Sequence, residues 1–106
     1  MSSLSPFTFS TAIQGVQVKP LTQDGQQIRV RYNGLLDQSG ANQVWIHGGL
    51  GDLNEWRDIK DYVMDKTGEG WEQTIELNDK QFNFCFRDSN QNWDNNSGAN
   101  WIYRIT

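Results

Sequence analysis

Histidine and cysteine each occur once in the 106 residues, at His47 and Cys85, and proline only twice. A single cysteine excludes an internal disulfide framework, and the lack of a cysteine and histidine cluster excludes the usual zinc arrangements. Basic charge is scarce as well: nine Lys and Arg stand against thirteen Asp and Glu, for a formal charge of -4 and a pI near 4.7. Such a surface does not neutralise a run of phosphates, so nucleic acid is not an expected partner. No apolar run approaches the roughly 18 to 20 residues that span a bilayer, so no membrane partner is expected either. The opening Met1 to Ala12 has neither the basic start nor the apolar centre of a secretory signal. The expectation is a cytoplasmic location for a complete chain, and an extracellular one for a module excised from a secreted enzyme.

What the chain does have is neutral polarity and aromatic rings. Charged residues make up 21% and hydrophobic ones 36%, with Asn, Gln, Ser, Thr and Gly filling the rest. The length suits one domain with one core. Five Trp, three Tyr and five Phe supply packing, since each ring can bury on the order of 150 to 250 Å². Five indoles exceed what so small a core readily hides, so some are expected to face water for a reason.

Period-2 alternation dominates the chain. Ile28, Val30 and Tyr32 alternate with Arg29, Arg31 and Asn33, the pattern of a half-buried strand. In the run 43–47, Val44 and Ile46 share the core face, which sends Trp45 and His47 to the other. A strand is expected from Gly70 to Leu77, with its inward face ambiguous. Phe82, Phe84 and Phe86 form a core strand, and 101–105 a closing one. Between them lie clusters of turn residues at 33–42, 48–54, 78–80 and 88–100. Short strands with frequent turns predict an all-β, antiparallel β-sandwich. A short helical turn is expected within 54–61. The module spans 27–106, preceded by an N-terminal extension, 1–26, in which Phe7, Phe9, Ile13, Val16 and Val18 are able to add one or two strands.

Catalysis finds little support. No serine sits in a G-x-S-x-G turn, and Cys85 reads as a small residue inside a phenylalanine stripe. The carboxylate pairs Glu69/Glu72 and Asp58/Asp61 lie in polar stretches that shift a pKa little. Neither an enzyme nor a cofactor is expected. Asp88, Asn90 and Asn92 resemble the start of a calcium loop, but Trp93 stands at position six and Ala99 at position twelve, where Gly and Glu belong. No metal is expected there; Asp and Asn hold the turn themselves. An aromatic platform is the better candidate. Trp45 and His47 leave the sheet on its outer face, Trp56 follows a glycine-rich connection, and Trp93 stands in an Asn-rich loop. Indoles offer flat apolar faces to a pyranose, while His47, Asp94, Asn95 and Asn96 offer donors and acceptors to its hydroxyls. Trp71 and Trp101 read as packing residues.

These segments resemble the starch-binding carbohydrate-binding modules, most closely family 25, with kinship to family 26 and the modules of plant starch synthases. The likeness is carried by Val30 to Leu36, by Val44 to Gly49 with Trp56, by Gly70 to Glu72, and above all by Phe82 to Asp88 running into Asn92 to Asn96 and Asn100-Trp101. The resemblance implies an immunoglobulin-like sandwich that binds α-1,4-linked glucans, namely starch, glycogen and maltooligosaccharides, without catalysis. It further implies a sugar platform of His47, Trp56 and Trp93, with Asp94, Asn95 and Asn96 in the loop that shapes it and Trp45 as a fourth contact. A separate amylolytic or glycogen-metabolising enzyme is the implied protein partner. The rival reading is a structural or protein-interaction sandwich without sugar affinity, since exposed Trp and Tyr also suit protein interfaces.

Overall fold

Alternating burial sorts the side chains into two layers, and the computed structural model, which describes residues 8–105, shows where each layer lies. The elements are β1 (Val16–Pro20), β2 (Gln27–Tyr32), α1 (Leu35–Gln38), β3 (Val44–Asp52), β4 (Glu55–Val63), β5 (Asp65–Thr67), β6 (Gly70–Glu76), β7 (Gln81–Asp88), β8 (Trp93–Asp94) and β9 (Trp101–Arg104). One sheet has the order β1-β2-β6-β5, the other β4-β3-β7-β8, with β9 also paired to β7. All of these pairings are antiparallel. The order matches an immunoglobulin-like sandwich, in which an A-B-E-D sheet faces a C-F-G sheet, here widened by β4.

The core lies between the sheets. Ile28, Val30 and Tyr32 from β2, Trp71 and Ile75 from β6, Val44 and Ile46 from β3, and Phe82, Phe84 and Phe86 from β7 are all buried. Tyr32 stacks on Phe86 at 4.1 Å across the two sheets. The ambiguous face of β6 is thereby settled. Trp71 and Ile75 point inward, while Glu72 stands on the outer face, shielded by Arg29 and Arg31 at 3.0 and 3.1 Å.

Three expectations are corrected. Residues 54–61 hold no helical turn: 55–61 belong to β4, and the only helical turn among the described residues is α1, inside 33–42. The glycine cluster 48–54 is mostly strand, with the reversal confined to Leu53-Asn54 between β3 and β4. Gly48 and Gly49 are there because aromatic rings crowd the backbone, whereas Gly51 serves a left-handed φ of 86°. A Cβ on Gly48 would sit 2.4 Å from the Phe82 ring, and one on Gly49 would sit 2.8 Å from Trp56 Cβ. Within 88–100, residues Trp93–Asp94 form β8, paired to Phe86 and Arg87. As for residues 1–26, β1 pairs along β2 from Val16↔Tyr32 to Pro20↔Ile28, so it is an edge of the first sheet. Phe7 lies outside the described residues.

Candidate functional site

The outer face of the second sheet gathers the residues that local patterning sends to solvent. On β3, Trp45 and His47 alternate with buried Val44 and Ile46. Register then supplies their neighbours: Trp45 lies between Val63 of β4 and Arg87 of β7, and His47 between Asp61 and Cys85. Arg87 in turn pairs with Trp93 of β8. A β-bulge lies where the register shifts between Gly48 and Leu50, with Asp58 at φ 51° in β4. Past it, Trp56 pairs opposite Gly51 and packs over Gly49. The indole Nε1 of Trp56 donates to Leu53 O at 2.7 Å, which pins the ring to its own hairpin.

His47 is thus flanked by two indoles. Its ring lies 6.1 Å from Trp56 at an inclination of 36°, and 5.2 Å from Trp93 at 87°. Because those angles differ by 51°, the two indole planes are inclined to each other by at least 51°. The rings therefore form a bent cradle with the imidazole at its hinge. Trp93 is 46% exposed, while Trp56 is half-buried. Trp45 stands beside the cradle, but the Arg87 guanidinium covers its ring at 4.3 Å, leaving less of it open to a ligand. Trp71 and Trp101 are buried, and Trp101 Nε1 donates to Ile13 O at 2.9 Å.

Asp61, set aside in the sequence as one of a solvated carboxylate pair, and Arg87 complete the cluster. Asp61 Oδ1 lies 2.6 Å from His47 Nδ1, and Asp61 Oδ2 accepts from Arg87 Nε and Nη2 at 3.1 and 2.9 Å. Burial pushes the Asp61 carboxyl up, but the His47 and Arg87 hydrogen bonds outweigh it and hold the group below the usual carboxylate range. Only cross-strand register could have found this set, because residues 47, 61 and 87 lie on three strands.

The Asn-rich loop divides into framework and surface. Asp94 is buried, and its Oδ2 accepts the Tyr32 hydroxyl at 2.6 Å, so its carboxylate belongs to the framework and not to an exposed sugar contact. Asn96 sits at φ 57°, takes Asp94 Oδ1 on its backbone N–H, and donates through Nδ2 to Asn100 O, so it too holds the turn. Asn95 is exposed, with its Oδ1 accepting from Gly98 N. Asp88 is filled by donors from Asn90 and Asn92. These bonds describe a turn rather than a cation site, and no cluster of metal-binding side chains stands among the described residues. Trp93 also lines a concavity of about 320 Å³ with Leu35, Ser39 and Asn92. A larger concavity, about 630 Å³, lies elsewhere, between β1 and β9 against Val18, Phe84 and Trp101. It is an apolar gap between sheet edges and holds none of the cradle's residues.

Comparison with known proteins bears on the family. The family model of a starch/carbohydrate-binding module, family 53, matches residues 28–84, just over half of the chain. An α-amylase of Clostridium acetobutylicum is 32% identical over 99 residues, covering 91% of this chain and 12% of the amylase. The chain therefore spans about an eighth of that relative's length. No solved structure matches it. With its sandwich, its outer aromatic face and that family match in hand, the chain belongs to the starch/carbohydrate-binding modules of family 53.

Proposed function

We propose that this chain binds α-1,4-linked glucans, in starch, glycogen or maltooligosaccharides, through Trp56, His47 and Trp93, and catalyses nothing. The observation that carries the reading is the bend of at least 51° between the indoles. Successive α-1,4-linked glucoses turn relative to one another, so two rings of the polymer meet two inclined indoles, whereas a flat β-linked chain calls for coplanar ones. Asn95, exposed two residues beyond Trp93, and Trp45, on the same face of β3 as His47, are assigned as secondary contacts. The resemblance to family 25 concerns this same layout, a histidine with two tryptophans. Hydrolysis has no place in the reading: Asp61, the carboxylate bonded to His47, is held ionised by two partners and is unsuited to general-acid work. The α-amylase relative supports a setting in which the module keeps an amylolytic enzyme on its polymer, within one chain or as a separate partner.

Two stacked rings each contribute roughly 1.5 to 3 kcal/mol of apolar burial, against a cost of association of several kcal/mol. Dissociation constants of about micromolar to millimolar follow, with firm retention on granules arising only when several sites act together. Titration with maltooligosaccharides, followed by tryptophan fluorescence and by retention on insoluble starch, tests the reading. Saturable quenching or enhancement with retention is expected. An unchanged signal at high millimolar sugar and no retention would overturn it.

A further inference from the structure

We infer that Asp61 is a positioning residue of the glucan site: it holds His47 in the tautomer with the proton on Nδ1, so that Nε2 meets the sugar as a hydrogen-bond acceptor. The inference rests on the glucan reading for its consequence, but its structural half stands on three distances. Asp61 Oδ1 is 2.6 Å from His47 Nδ1, and Asp61 Oδ2 accepts two bonds from Arg87, at 3.1 and 2.9 Å. An ionised carboxylate is acceptor-only. The hydrogen between Nδ1 and Oδ1 is therefore the imidazole's, and in the neutral ring Nε2 keeps its lone pair.

Register and stacking make this orientation rigid. His47 pairs opposite Asp61, and Trp45 opposite Arg87 one step along the same strand, so carboxylate and guanidinium approach from both neighbours of β3. Arg87 is further fixed by lying over the Trp45 ring at 4.3 Å. A free imidazole in water prefers its proton on Nε2, the opposite arrangement, so Asp61 reverses an intrinsic preference. Nε2 has no hydrogen-bond partner among the described residues, and the ring sits between Trp56 and Trp93 with 30% of its side chain exposed. A sugar hydroxyl in the cradle then has to donate to His47. Capping that hydroxyl with a methyl group removes the bond, which makes Asp61 a determinant of specificity although it need not touch the ligand.

His47 is the only histidine of the chain, so its ring nitrogens are read without ambiguity in a long-range ¹H–¹⁵N spectrum of the full chain at pH 8. In the ligand-free protein Nδ1 is expected to show the shift of a protonated nitrogen and Nε2 that of an unprotonated one. Asp61→Ala is expected to move the proton to Nε2 and to weaken maltoheptaose roughly three- to tenfold, the worth of one hydrogen bond. The indole signals of Trp56 and Trp93 should stay near their wild-type positions. A wild-type spectrum with the proton on Nε2 overturns the inference even if the variant does not fold. So does an Asp61→Ala protein that switches tautomer yet binds maltoheptaose as tightly as wild type. Wild-type protein that carries the proton on Nδ1 and ignores maltoheptaose overturns instead the glucan reading, and with it the role given to Nε2.

Discussion

Trp56 and Trp93 each carry a separable share of the proposed binding, because each presents its own ring to the ligand. Replacing either by Ala is expected to weaken maltoheptaose by about ten- to a hundredfold, the equivalent of roughly 1.5 to 3 kcal/mol of stacked area, with little change in melting temperature for the exposed Trp93. Calorimetric titration of the two variants checks this, and a Trp93→Ala protein that binds as wild type would remove that ring from the site. Cys85 behaves oppositely. Burial, with Asp61 and Asp94 nearby, pushes its thiol up to about 11, so it should resist thiol reagents at pH 7.5 until the protein is denatured. Mass spectrometry after iodoacetamide treatment reads this directly. The outward setting of Trp56 and Trp93 was legible in the sequence because no apolar period called for them. Asp61 and Arg87 were not, since each looks like an ordinary solvated residue until its strand is placed beside β3. Asp94 misled for a different reason: a polar residue in an Asn-rich loop looks like surface, and nothing local announces the buried Tyr32 hydroxyl that claims it.

At the scale of elements, the pair Gly48 and Gly49 separates scaffold from site within one strand. Gly48 faces inward, where an added Cβ would meet the Phe82 ring at 2.4 Å, so Gly48→Ala is expected to overpack the core by about 1 to 3 kcal/mol. Gly49 faces outward beneath Trp56, where the added Cβ would meet Trp56 Cβ at 2.8 Å and its ring at 3.1 Å. Gly49→Ala should therefore displace the indole and lose glucan affinity out of proportion to its loss of stability. Urea unfolding and maltoheptaose titration on both variants compare the two, and equal effects on affinity would contradict the division. Tyr32 links three elements in the same manner. Its hydroxyl donates to Asp94 beside Trp93 and accepts from Leu36 N of α1 at 2.9 Å. Tyr32→Phe leaves Asp94 Oδ2 and Leu36 N without this partner and is expected to cost about 1 to 3 kcal/mol, again by urea unfolding. Strand existence was plain from alternation in β2, β7 and β9. The extent of β3 and the whole of β4 were hidden, because glycines placed for close ring packing mimic a turn, and the apolar residues of the exposed 55–63 run, Trp56, Ile59, Tyr62 and Val63, are not spaced by two.

For the whole molecule, the sandwich followed from several short alternating segments, while the assignment of strands to two sheets depended on long-range pairing that no local window contains. Charge pairing across both sheets sets the response to acid. For Glu72, burial pushes the carboxyl up, but hydrogen bonds from Arg29, Arg31 and Thr67 bring it below its ordinary 4.5. Asp61 and Asp88 likewise lie below 3.8, the latter chiefly through the Asn92 side chain. Groups lowered on folding contribute stability above their unfolded values and lose it as pH falls toward the folded ones. The melting temperature should thus drop as pH passes below 4.5 and then 3.8; a melting curve unchanged down to pH 2 would contradict this pairing.

The claim on which the rest depends is that Trp56 and Trp93 meet the glucan while Trp71 and Trp101 only pack the core. The five indole N–H signals in a ¹H–¹⁵N spectrum, followed through a maltoheptaose titration, test it in one experiment. The account predicts large, saturable shifts for Trp56 and Trp93, a smaller one for Trp45 beneath Arg87, and none for Trp71 and Trp101. Shifts confined to the buried pair, or none from any indole at high millimolar sugar, would contradict it.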